Sequence, residues 1–159
     1  MTDIDPVEVT VHVPAAPADV FPYFTDPARY VQWMGSEARL EPVPGGVYRV
    51  VMPDGFAAAG VFRRVERPRL VVFTWGFADD EAASRTKGGE AASVGAMPAG
   101  STRVTVTLED ADGGTRVTLR HENLPSAELR AGHEVAWDTY LPRLAVVAAG
   151  GDPGADPHA

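Results

Sequence analysis

The chain has 159 residues, 45% hydrophobic and 23% charged, with 22 acidic against 14 basic side chains for a formal net charge of −8; this is a globular balance, long enough to bury a core without a structural metal. Cysteine is absent, which removes disulfides, thiolate metal sites and thiol nucleophiles together. The negative field argues against nucleic acid and anionic membranes as partners, no run approaches the ~20 apolar residues of a spanning helix, and the acidic start Met1 to Pro6 lacks the features of a secretory signal, so a cytoplasmic protein is expected.

Val7, Val9, Val11 and Val13 alternate with Glu8, Thr10 and His12, the period-2 pattern of a strand with one buried face. Pro14 to Pro17 stops it. Pro17 suits the first position of a helix, where a missing N–H costs nothing, and a short helix is expected over Ala18 to Phe24. Asp26-Pro27 repeats the start signal, with Asp26 as cap, for a second short helix running toward Trp33. Strands then follow at Ala38 to Val43, Val47 to Met52, Gly60 to Val65, Leu70 to Trp75, Thr102 to Leu108 and Thr115 to His121, seven in all, separated by Gly- and Pro-rich turns. The hairpin loop between the last two is expected over Asp110 to Gly114. Residues 77 to 101 interrupt the rhythm with Asp79, Asp80, Glu81 and Lys87 and little apolar content, a length that points to a functional or mobile loop.

After Leu124-Pro125, Ser126 can cap a helix with Glu128 in its first turn. Leu129, His133, Ala136, Trp137, Tyr140, Leu141 and Leu144 recur at spacings of three and four, so the helix is long and amphipathic, with a bend expected at Pro142. Gly150 to Pro157 cannot continue it. One domain is expected over residues 1–149, followed by a disordered tail over 150–159.

This order, with Val20-Phe21 before Thr25-Asp26-Pro27, Trp33, Gly45-Gly46, Asp54-Gly55, Gly60, Pro68-Arg69-Leu70, Thr74-Trp75, Gly114-Thr115, His121, and His133 with Trp137, Leu141 and Leu144, resembles a START-like (SRPBCC) helix-grip protein, in the branch of the activator of heat-shock protein 90 ATPase homologues. The likeness runs from about residue 7 to residue 148. It departs from the family at Ala136, where Gly is frequent, and in the length of 77–101. The resemblance implies an α+β fold: a curved antiparallel seven-stranded sheet wrapped on the C-terminal helix, two short helices between strands one and two, and a deep cavity used by different members for lipids, aromatic polyketide-like molecules or hormones.

Strand parity points Tyr48, Val50 and Met52, then Phe73 and Trp75, then Val104, Val106 and Leu108, then Val117, Leu119 and His121 toward the helix. The expected ligand-binding residues are Trp33, Tyr48, Met52, Phe62, Phe73, Trp75, His121, His133, Trp137 and Tyr140. His121, the titratable group in an apolar row, is either a satisfied core residue or a polar group that orients a ligand. Trp137 and Tyr140 are either cavity lining or core. His133-Glu134 begins like a zinc-protease motif, but Trp137 stands where the second His is needed, so no metal is expected. No catalytic residue and no cofactor are assigned. The leading expectation is a binder of a small apolar or aromatic molecule, monomeric or homodimeric. The alternatives are a cyclase or dehydratase-like enzyme using a cavity His, or a co-chaperone-like domain with a chaperone partner.

Overall fold

The computed structural model describes residues 4–78 and 97–158; most of the long polar segment expected over 77–101 therefore lies outside the described residues. The first strand β1 (Val7–Val13) is followed by three single helical turns, α1 (Pro17–Val20), α2 (Pro22–Thr25) and α3 (Pro27–Tyr30). The helix expected over Ala18 to Phe24 is thus divided, because Pro22 has no N–H to continue the ladder and instead starts a new turn. Asp26 caps α3 through Oδ1, which accepts from the Ala28 N–H at 3.0 Å.

Strands β2 (Glu37–Leu40), β3 (Val47–Val51), β4 (Ala57–Glu66), β5 (Leu70–Trp75), β6 (Thr102–Ala111) and β7 (Gly114–Glu122) complete one open sheet, in the order β1-β7-β6-β5-β4-β3-β2 with every neighbour antiparallel. Strand β4 starts three residues earlier than expected, because Ala57 to Ala59 carry no β-branched signal yet pair with β3. Its register to β5 shifts between Phe62 and Arg64, an irregularity that bends a strand. The β6–β7 loop is tighter than its composition suggests. Ala111 pairs with Gly114, and Asp112 and Gly113 both have positive φ, +49° and +78°, the two-residue turn that matches strand twist.

Helix α4 (Ala127–Ala148) runs 22 residues through Pro142 without a break. The Ser126 hydroxyl oxygen caps it, accepting from the Leu129 N–H at 3.1 Å. Its buried stripe is His133, Trp137, Tyr140, Leu141, Leu144 and Val147, which shares one core with the inward row Val104, Val106, Leu108, Val117, Leu119 and His121 of β6 and β7. Among the described residues no helix is long and apolar enough to cross a membrane.

Beyond α4, Gly150 to His158 is not a loose tail. Arg143 donates through Nη1 to the carbonyls of Pro153 and Ala155 and through Nη2 to that of Gly154, at 3.0 to 3.2 Å. Its Nε is held by the Trp33 carbonyl at 3.0 Å. The segment expected as a disordered tail carries these bonds at Pro153, Gly154 and Ala155. Glycine and proline prevent helix, but they do not prevent carbonyls from meeting a guanidinium.

Candidate functional site

The site is built where the upper half of α4 crosses β5 and β7. Leu129 is a turn before His133, so the ring Nδ1–H donates to the Leu129 carbonyl at 2.7 Å. His133 Nε2 is left as an acceptor and takes the Trp75 indole N–H at 3.2 Å. From the same helix the Trp137 indole N–H donates to His121 Nδ1 at 3.1 Å. His121 Nε2 lies 2.7 Å from the Thr102 hydroxyl, which donates its own proton to the Trp75 carbonyl at 2.6 Å. Thr102 therefore accepts from His121, and both imidazoles are neutral with every ring nitrogen in use.

Burial reinforces that state. It pushes the His121 pKa down to about 2, with the neighbouring His133 adding to the effect. Burial also lowers the pKa of His133, partly offset by its bond to Leu129. The imidazole edges meet at 90° with centroids 5.0 Å apart. The cluster pins helix to sheet through five polar side chains that are otherwise costly to bury.

Beside it opens a cavity of about 310 Å3, lined by Met34, Met52, Asp54, Phe56, Ala58, Trp75, Phe77, Glu128, Leu129, Gly132, His133, Ala136, Tyr140 and His158. Of the ten residues expected to bind a ligand, Met52, Trp75, His133 and Tyr140 line it. The other six do not reach it. Tyr48 is stacked on Phe73 at 4.0 Å and meets Phe62 edge-on, Trp33 packs on Phe24 and Tyr30 and donates its N–H to the Tyr23 carbonyl, and His121 and Trp137 lie behind Trp75. Parity names a face, but depth is decided by which neighbours fill the space. In the same layer the Tyr30 and Tyr48 hydroxyls are hydrogen-bonded to each other, and burial raises the pKa of both.

Half of the lining residues missed from the sequence come from irregular backbone. Phe77 lies past the end of β5, in a segment that bridges Ala58 on one side and Pro98 on the other. Met34 and Phe56 sit in turns with no periodicity to flag them. Leu129 and Ala136 belonged to the apolar stripe of α4 and were legible as such. His158 reaches the cavity only because the segment after α4 folds back.

The family model for activator of Hsp90 ATPase homolog 1-like proteins matches residues 14–149. The chain belongs to the AHSA1 family. No curated protein matches the sequence. Among solved structures, this AHSA1 chain is similar to an AHSA1-like protein of Rhizobium etli, at 38% identity and TM-score 0.67, over 99% of this chain and 93% of that one. It is similar to an AHSA1 protein of Silicibacter pomeroyi at 26% identity and TM-score 0.70, covering 91% and 97%. It also resembles DynU16, a protein of the dynemicin biosynthetic locus, at 25% identity and TM-score 0.74, over 96% of this chain; it spans about half, 51%, of DynU16. An Aha1 of Colwellia psychrerythraea with the same fold, 14% identical with TM-score 0.70 over 91% of this chain and 96% of that one, is described as a dimer. The helix-grip arrangement of sheet, short helices and C-terminal helix is thus that of the AHSA1 family.

Proposed function

We propose that the protein binds a small apolar or aromatic molecule in the cavity between the sheet and the first half of α4. The observation that carries this reading is the state of the two imidazoles beside the cavity: with all four nitrogens engaged and both rings held neutral, they offer shape and dipoles, not a proton. A cyclase or dehydratase-like step through His133 would require breaking its bond with Trp75 or with Leu129 before it could accept or deliver a proton. Affinity then comes from burying ligand surface against Met34, Met52, Phe56, Trp75 and Phe77, at about 25 cal/mol per Å2 of apolar area removed from water. The volume lies at the small end of ligand sites, roughly 300 to 1,000 Å3.

The test is a thermal-shift series with neutral one- and two-ring aromatics and short-chain lipids. Binding to the folded state raises the melting temperature in proportion to the logarithm of ligand concentration. No rise with any of them, in a protein that folds cooperatively, removes the basis of this reading. The co-chaperone alternative draws on the family's description alone and is tested separately, by whether the protein stimulates an Hsp90-type ATPase.

A further inference from the structure

Beneath the segment that follows α4 lies a cluster of hydrogen-bond donors. The Tyr140 O–H donates to Asp156 Oδ1 at 2.6 Å, and the Gly35 N–H to Asp156 Oδ2 at 3.1 Å. Arg143 is anchored through Nε on the Trp33 carbonyl, so both of its terminal nitrogens are left for the carbonyls of 153–155. Apart from Arg143 Nε, these donors are satisfied by the returning segment, and the Tyr140 hydroxyl also lies 2.5 Å from His158 Nδ1. Remove that segment and the same place presents a phenol O–H, a backbone N–H and, beside them, a guanidinium edge, next to a cavity that Tyr140 lines.

That donor set is the chemistry of carboxylate recognition. Gly35 suits it for a geometric reason: φ is +88°, and a Cβ there would stand 2.7 Å from Val50 Cγ1, so the turn is reserved for glycine and its N–H is fixed in direction. The Asp156 carboxylate behaves as a ligand of this cradle. Burial works against its ionisation, yet the bonds from Tyr140, His158 and Gly35, with the nearby Arg143 charge, hold its carboxyl below the ordinary range.

We propose that Tyr140 and Gly35, with the Arg143 guanidinium beside them, form a carboxylate subsite at the rim of the cavity, which Asp156 fills in the free protein through Tyr140 and Gly35 and which an apolar ligand carrying a carboxylate fills by displacing the 152–158 segment. This rests on the binding reading above and names its ligand class: an apolar body for the cavity, an anionic oxygen pair for the cradle. Asp54 also lines the cavity, a carboxylate that an anionic ligand has to avoid.

The experiment compares naphthoic acid with naphthalenemethanol, the same body with and without the carboxylate, on the wild-type chain and on Asp156→Ala. The variant is expected to bind naphthoic acid about tenfold or more tighter than wild type, because the competing carboxylate is gone, while naphthalenemethanol changes less than about twofold. Adding Tyr140→Phe to Asp156→Ala removes most of the gain. Acetate gives a reading independent of the aromatic body: replacing chloride at equal ionic strength, it should raise the melting temperature of Asp156→Ala and not that of the double variant. Equal gains for both naphthalenes make the segment a plain cover, and no acetate rescue together with no naphthoate gain overturns the subsite. Failure of naphthalenemethanol to bind either protein counts against the binding reading itself, and acetate rescue still decides the cradle.

Discussion

Protonating His121 would put an N–H against the Trp137 indole N–H, and protonating His133 would do the same against Trp75, because each ring already accepts an indole proton. The consequence for stability follows from the depressed pKa values. Above pH ~6.5, the ordinary histidine value, both folded and unfolded chains carry neutral imidazoles and the groups contribute no pH dependence. As pH falls below that value the unfolded chain takes up protons that the folded chain refuses, and stability is lost. His121, pushed down to about 2, alone accounts for ~1.4 kcal/mol per pH unit, roughly 2 kcal/mol by pH 5, and His133 adds in the same direction. Urea midpoints measured between pH 7.5 and pH 5 should show this fall. His121→Gln, whose amide can donate to Thr102 and accept from Trp137, should flatten the slope; an unchanged slope would place the titration elsewhere.

The short segment after β5 supplies Phe77 to the cavity wall. The Gly76 carbonyl accepts from Ala59, Phe77 donates to the Met97 carbonyl and Ala78 to that of Ala57, each at 2.9 Å. Phe77 is thereby pinned between β4 and residues 97–98, with its ring edge-on to Phe56 at 4.7 Å. The close approach depends on Gly76, since a Cβ there would stand 1.8 Å from the Pro98 carbonyl oxygen. Gly76→Ala is expected to destabilise by about 1 to 3 kcal/mol, the range for overpacking a tight site, and to displace Phe77 from the wall. Urea denaturation reads the first effect, and weakened binding of a neutral aromatic probe reads the second. A well-folded variant with unchanged binding would show that Phe77 is not needed there.

Across the whole molecule, the cavity is space that aromatic side chains of the sheet and the α4 stripe leave unfilled around Ala58, Gly132 and Ala136. Ala136→Leu fills part of it from the helix side. The expected result is a melting temperature equal to or above wild type, because new apolar contacts replace empty space, together with loss of the thermal shift given by neutral aromatics; retention of that shift would move the binding site away from this cavity. Seven strands, their inward parity, the capped C-terminal helix and the AHSA1 likeness were legible in the sequence, because period-2 and period-3.6 patterns are local consequences of backbone geometry. The Asp26 and Ser126 caps were legible for the same reason, each set by residues within a few positions. Depth was not. Tyr48 and Met52 share a face of the same strand region, yet one is walled in by Phe62 and Phe73 and the other meets the cavity, a difference that depends on neighbours far away in the chain. Nor could local pattern show that two imidazoles exhaust their nitrogens on two indoles, or that Arg143 gathers a glycine- and proline-rich segment over Tyr140. Those outcomes depend on which donors and acceptors the closed fold brings within hydrogen-bond distance, and only the tertiary structure decides that.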